Sequence, residues 1–172
     1  RAARMRFALS PRAIQTMIAC ALSGAAAAEP WDPGEALDTC LLAAVTQRPG
    51  IVTGWRQVGG GAQPPYAVSV LNRDGKIAEA TCEPANPSNL RFEEKMGIYR
   101  YSMYERADFA EVKARVAAPT IFVGPVRMQA MELSVGLRGT PHYVYQLFLP
   151  SGHKASVRMD GVSGRLVSAE VK

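Results

Sequence analysis

Two stretches of this sequence, 77 residues apart, carry the same pattern of strands and turns. The stretches align without a gap, although few of the aligned residues are identical. The aligned pairs include Val58 with Val135, Pro64 with Pro141, Tyr66 with Tyr143, Gly75 with Gly152, Cys82 with Met159, and Glu83 with Asp160. A repeat of this kind constrains the fold strongly, because each copy has to bury one face of a similar antiparallel hairpin.

Each copy is predicted to begin with a helix and to continue as an antiparallel meander. In residues 32–48 apolar side chains recur at helical spacing, and Pro49-Gly50 ends the helix; the second helix covers residues 107–117. Alternating apolar residues and turn residues predict strands at 51–58, 66–71, 76–82, 126–137, 143–149, 154–160 and 165–171. The predicted fold class is α+β, with two tandem units, each a helix packed on one face of a three- to four-stranded antiparallel sheet. The predicted units are residues 29–90 and 107–172, joined by a connector at 91–106.

Residues 1–28 resemble a secretory signal peptide. They contain four arginines and no acidic residue, then an apolar run and small residues before Glu29-Pro30, and Met5 is the expected start. The alternatives are an N-terminal anchoring helix, or a lipoprotein modified at Cys20, which lacks the usual leucine three residues before it. Removal of this leader turns a net charge of +5 into 16 basic against 15 acidic residues. We therefore expect a bacterial periplasmic or secreted chain that has no membrane span after leader removal and no nucleic-acid partner.

Export changes the interpretation of the cysteines. Cys40 and Cys82 remain after the leader, an even number in an oxidising compartment. Cys40 lies on the apolar stripe of the first helix, and Cys82 shares a strand face with two small apolar residues, so both are expected in one core. A redox or metal pair is the alternative, but it would need C-x-x-C spacing or nearby histidines. The pattern favours a Cys40–Cys82 disulfide.

The second copy resembles the PepSY domain family. The residues that carry this resemblance are Tyr143-x-Tyr145-x-Leu147, Gly152, Val157-Arg158-Met159-Asp160 and Ser163-Gly164-Arg165-Leu166-Val167. The first copy departs from the motif at its end, where Asn86-Pro87 replaces Ser-Gly and no clear last strand follows. The tandem arrangement is also similar to the β-lactamase inhibitor protein, whose paired sheets form a concave binding face. The resemblance implies an exported non-catalytic module, with peptidase inhibition as the activity usually proposed for the family.

Motifs for catalysis or cofactor binding are weak. His142 and His153 lie at opposite ends of one predicted strand, too far apart to share a metal ion. No G-x-S-x-G sequence supports a serine nucleophile, and the glycines at 59–61 lack the Gly-Lys-Ser/Thr of a phosphate loop. We therefore predict no enzyme activity, no metal and no cofactor.

Strand alternation selects residues for an outward-facing binding surface. Met131 and Leu133 are predicted to face the core, so Glu132 faces outward, and the repeat aligns Trp55 with it. The predicted binding residues are Trp55, Gln57, Glu132, Gln146, Phe148 and Arg158. Their expected partner is a protein or peptide of the cell envelope; the alternative function is an accessory or assembly subunit of an envelope complex, held by an edge strand or by the connector.

Two features of the connector and its flanks are open to more than one interpretation. One feature is a group of three tyrosines, Tyr99, Tyr101 and Tyr104. They either pack in the core or form a recognition surface; the second interpretation rests on the enrichment of tyrosine at interfaces. Glu93-Glu94 is predicted near a helix start, where acidic side chains interact favourably with the helix dipole.

Overall fold

The computed structural model of the chain describes residues 33–107, 110–136 and 138–172. The predicted leader lies outside these residues. The helices are α1 (Pro33–Gln47), α2 (Tyr101–Tyr104) and α3 (Glu111–Ala117). The strands are β1 (Ile51–Gln57), β2 (Tyr66–Leu71), β3 (Ile77–Cys82), β4 (Glu93–Glu94), β5 (Arg127–Val135), β6 (Pro141–Phe148), β7 (Lys154–Asp160) and β8 (Leu166–Val171). No helix in the described ranges has the length and apolar character needed to cross a membrane.

The prediction of two tandem helix-on-sheet units is wrong. All eight strands form one antiparallel sheet in the order β4-β3-β2-β1-β5-β6-β7-β8. The two meanders join because β1 pairs with β5 through Gly54 with Glu132, Trp55 with Met131 and Arg56 with Ala130. This pairing, which we call the seam, satisfies backbone groups that two separate sheets would leave at exposed edges.

Gly54 allows the seam to close. A β-carbon at this position would lie 3.1 Å from the carbonyl oxygen of Met131, a backbone atom that cannot move aside easily. The side chains of Trp55 and Met131 pack beneath the seam in one hydrophobic cluster that draws residues from both halves of the chain. The fold therefore has one shared core and not two.

Both longer helices cover the same face of the sheet, called here the helix face. Small residues let them approach closely: Ala44 of α1 and Ala114 of α3 have no exposed surface. The predicted disulfide is confirmed, since Cys40 of α1 is bonded to Cys82 of β3 with a Cα–Cα distance of 5.7 Å. The bond ties α1 to the sheet near its β4 edge.

Residues 95–100, called here the connector strap, carry the chain from β4 to α2. The Tyr99 amide donates a hydrogen bond of 2.8 Å to the Gly75 carbonyl. Gly75 has φ +79°, and a β-carbon there would collide with the carbonyl oxygen of Tyr99, so this turn requires glycine. The prediction of a helix start at Glu93-Glu94 is wrong, because these residues form β4 against Ala78 and Glu79.

Candidate functional site: the open face of the sheet

The sheet has a second face, opposite α1 and α3, which we call the open face. Strand register arranges its side chains in rows that cross the sheet. One row contains Glu79, Ser69, Gly54, Glu132, Val144, Arg158 and Ser168, and the next contains Thr81, Ala67, Arg56, Ala130, Gln146, Ser156 and Glu170. Most of these residues are polar or small, as expected for a sheet face that meets solvent or a partner.

A groove of about 380 Å³ lies on the open face above the seam. Its floor is low because Gly54 has no side chain and Ala67, Ser69 and Ala130 have small ones. These four residues come from three adjacent strands, and only the seam brings them together. The volume lies within the range of small-ligand pockets and is large enough for one long side chain of a bound peptide.

Two tyrosines of the connector strap and α2 form one wall of the groove. The Tyr99 and Tyr104 rings meet edge to face, with centroids 6.3 Å apart. Both side chains are half-buried. Burial raises the pKa of Tyr104, and the neighbouring Tyr99 and Glu132 raise it further. Tyr104 therefore presents a neutral aromatic ring to the groove.

A network of charged and polar groups lines another part of the groove. Glu79 accepts hydrogen bonds from Arg56 at 3.1 Å, Lys95 at 3.2 Å and Ser69 at 3.3 Å. Burial by itself would raise the pKa of Glu79, but these partners outweigh it and hold the pKa below its usual value. Glu79 is therefore an ionised carboxylate whose charge is already compensated.

Glu132 differs from Glu79 in its electrostatic surroundings. It is exposed on the groove rim beside Tyr104, and within the described part of the chain no cation forms an ion pair with it. A carboxylate next to two aromatic rings suits a cationic side chain, which gains both charge and cation–π contacts.

Phe148 lies farther along the open face, away from the groove. Its ring has the Arg127 guanidinium at 5.8 Å and the Lys154 ammonium at 5.5 Å from its centroid. The two cations partly cover the ring, so this end of the face is positive in character.

Four of the six predicted binding residues lie on the open face: Glu132, Gln146, Phe148 and Arg158. The predicted outward orientation of Trp55 is wrong, because its side chain is only 3% exposed and lies on the helix face. Gln57 also lies on the helix face, opposite Tyr66. The cause is a one-residue difference between the two hairpins. Trp55 pairs with Val68 and Met131 pairs with Tyr145, so Trp55 is the counterpart of the core-facing Met131 and not of Glu132.

The helix face holds a buried polar cluster built on α3. Arg115, 8% exposed, contacts Asp38 through Nη2 and lies 3.5 Å through Nε from Oε1 of Glu111. The Tyr145 hydroxyl donates to Glu111 at 3.3 Å, and the buried Trp55 indole nitrogen lies beside it without a well-aligned hydrogen bond. Burial raises the pKa of Glu111, while Arg115 lowers it in part. Burial also raises the pKa of Tyr145.

The two histidines remain apart in the fold. His142 on β6 pairs with Asp160, while His153 lies in the following turn, 3.0 Å from the Ser151 hydroxyl. Across residues 33–107, 110–136 and 138–172, no group of three or more His, Cys, Asp or Glu side chains is placed to hold a metal ion.

Sequence reasoning missed the groove floor but offered one usable signal. Gly54 interrupts an otherwise regular strand pattern, and a glycine inside a strand often marks a bulge or a close backbone approach. Here it marks both. Ala67 and Ala130 gave no signal, because their proximity depends on the pairing of strands far apart in sequence.

Comparison with known proteins supports the fold alone. No protein-family model and no curated protein matches this sequence. A crystal structure from Clostridium difficile 630, described as that of a "putative lipoprotein", is similar, with a TM-score of 0.50 and 12% sequence identity. The similarity covers 79% of this chain and 91% of the other.

Proposed function

We propose that this chain is an exported, non-catalytic protein that binds an extended peptide or protein segment on the open face of its sheet. The observation that carries the proposal is the groove above the seam, with its floor of small residues and its tyrosine wall. Such a depression receives one anchoring side chain, and a few buried anchors commonly supply most of the binding energy of an interface. The rows of polar side chains around the groove serve as the surrounding rim.

The anchor that fits best is a lysine or arginine side chain. Glu132 offers a carboxylate without an ion-pair partner among the described residues, and Tyr99 and Tyr104 offer aromatic surface. Glu79 contributes little attraction, because Arg56 and Lys95 already neutralise it. We therefore expect basic peptides to bind more tightly than acidic ones. Added salt should weaken the binding of basic peptides.

Export is supported by three independent features. The predicted leader is typical of secretion, the Cys40–Cys82 disulfide is stable in an oxidising compartment, and the similar solved structure is described as that of a lipoprotein. The PepSY resemblance extends the proposal to peptidase inhibition, in which the bound segment belongs to a peptidase.

A second candidate function is that of an accessory subunit in an envelope complex. It is favoured by Met96 and Ile98 of the connector strap, both of which are almost fully exposed to solvent. Large apolar side chains in this setting suit a lasting contact with a partner. Replacing both by serine should disrupt such a complex and leave peptide binding in the groove unchanged.

Filling the groove should abolish peptide binding. Peptides are selected from a phage-displayed library on the wild-type chain, and their affinities are measured by fluorescence anisotropy. Ala130→Trp places an indole on the groove floor, so we expect a loss of at least about 30-fold, or about 2 kcal/mol. Glu132→Gln should weaken the binding of basic peptides more than the binding of other peptides.

The matched control is Val123→Trp, which adds the same bulk at an almost fully exposed loop position. Circular dichroism establishes that both variants are folded. Peptides that bind Ala130→Trp as tightly as the wild type would place the site elsewhere, and a library that yields no binder would count against peptide recognition altogether.

A further inference from the structure

We propose that β8, the last strand of the sheet, pairs with β8 of a second copy of this chain to form a two-fold symmetric dimer. β8 is an edge strand that has no partner on its outer side among residues 33–107, 110–136 and 138–172, and all six of its residues are exposed. It contains no proline, and no helix of the described part of the chain covers its apolar side chains. Natural edge strands of this length are usually protected against pairing by proline, a covering helix or a bulge, and β8 has only a bulge, at its first two residues.

The side chains of β8 are sorted by face. Ser168 and Glu170 lie on the open face, opposite Arg158 and Ser156 of β7. The apolar residues lie on the helix face, because Ala169 and Val171 pair with buried Val157 and Ala155, and Leu166 and Val167 form a bulge opposite Met159. Leu166, Val167 and Val171 are each at least half-exposed. One edge therefore presents an apolar row that lacks a neighbour.

The free backbone groups fix which register a second copy can adopt. The Lys172 amide donates to the Lys154 carbonyl at 2.8 Å, so even-numbered residues bond to β7. Ala169 and Val171 therefore direct their N–H and C=O groups outward, and so does the Val167 carbonyl, which precedes the inward-facing Ser168 amide. An antiparallel partner centred on Ala169 uses these groups, with Ala169 opposite its own copy and Val167 opposite Val171.

This register also matches side chains. On the helix face it aligns Val167, Ala169 and Val171 of one copy with Val171, Ala169 and Val167 of the other, so every opposed pair is apolar. On the open face it places Glu170 of the second copy opposite Ser168, whose other neighbour is Arg158. The small serine lets Arg158 reach that glutamate, and neither side chain has an ion pair within the described chain.

The expected dimer is weak. One six-residue edge buries less area than the roughly 1,200 Å² of a standard stable interface, so we expect association that depends on concentration in the micromolar range. β6 and β7 separate β8 from β5, the nearest strand of the open-face groove, so the groove stays accessible in the dimer. The dimer proposal therefore stands or fails independently of peptide binding.

Site-specific cross-linking tests the register. In a Cys20→Ser background, Ala169→Cys should cross-link to its own copy with bismaleimidoethane, since opposed Cα atoms in this pairing lie about 5.5 Å apart. Val171→Cys is the matched control on the same face, because its two copies would lie about 13 Å apart along the strands. Equal cross-linking at both positions would overturn the register.

Sedimentation velocity tests the dimer itself. The wild type should shift from monomer to dimer as its concentration rises, and Val171→Lys should remain monomeric while Val123→Lys behaves like the wild type. Arg158→Glu should weaken the dimer at least several-fold, and Arg158→Glu/Glu170→Arg should restore it. A wild-type chain that stays monomeric at hundreds of micromolar would overturn the proposal and leave β8 available to a strand of another protein.

Discussion

Replacing Cys40 and Cys82 together by alanine should lower the free energy of unfolding by about 4 kcal/mol, because the bond closes a loop of 42 residues and restricts the unfolded chain. This is a large share of the 5–15 kcal/mol typical of a domain. The loss should appear as a decrease of about 2 M in the midpoint of urea unfolding, given usual denaturant slopes. Alanine is chosen because both sulfur atoms are fully buried and a serine hydroxyl would lack partners.

Reduction of the wild-type chain provides the control for this prediction. It opens the same loop without creating the small cavities that alanine leaves, so its unfolding midpoint should fall by nearly as much. If the reduced chain and the double variant both unfold at the wild-type midpoint, the disulfide contributes nothing to stability.

Arg115→Met should destabilise the chain by about 3 kcal/mol. The substitution keeps the aliphatic packing of the side chain but leaves Glu111 buried without its cation, and an uncompensated buried charge is costly. Asp38→Asn is the matched control, because it removes the other ion pair of Arg115. Asp38 is mostly exposed, so its loss should cost less than about 1 kcal/mol.

Removing both charges should restore most of the stability. Glu111→Gln/Arg115→Met replaces the pair by uncharged groups. The Arg115 Nη1 nitrogen is buried without a hydrogen-bond partner in the described chain, so removing this nitrogen costs no hydrogen bond. A double variant no more stable than Arg115→Met would show that packing, not charge, dominates here.

The pH dependence of Arg115→Met follows from Glu111. Burial raises its pKa above the ordinary 4.5, so the folded chain binds this proton more tightly than the unfolded chain does. The cost of ionising Glu111 is therefore fully present above the folded-state pKa and is relieved as the pH falls toward 4.5. Without Arg115 that cost is larger, so the stability gap between variant and wild type should narrow from pH 7 to about 4.5. A constant gap would exclude Glu111 as the cause.

Local structure was predictable from this sequence because its signals are local. Alternating apolar residues bounded by Asp-Gly or Ser-Gly turns define the hairpins, and the helical stripe around Cys40 defines α1 to within one residue at each end. The disulfide followed from the same patterns, since both cysteines lie on core-facing positions.

The arrangement of the two halves was not predictable in this way. The seam between β1 and β5 depends on pairing across more than 70 residues of sequence, and nothing local to either strand records it. The error at Trp55 has a different origin. The gapless repeat assumes that the two hairpins have connections of equal length, but the connection from β5 to β6 holds one residue more between paired positions than the connection from β1 to β2. A shift of one residue moves every side chain of the strand to the other face.

Amide NMR mapping tests the central claim that the open-face groove is the binding site. A peptide selected on the wild-type chain is titrated into isotope-labelled protein, and the perturbed amides are identified. We predict the largest shifts at Gly54, Ala67 and Ala130 on the groove floor, with little change in α1 and α3. Shifts confined to the helices or to β8, with the groove unperturbed, would contradict the account.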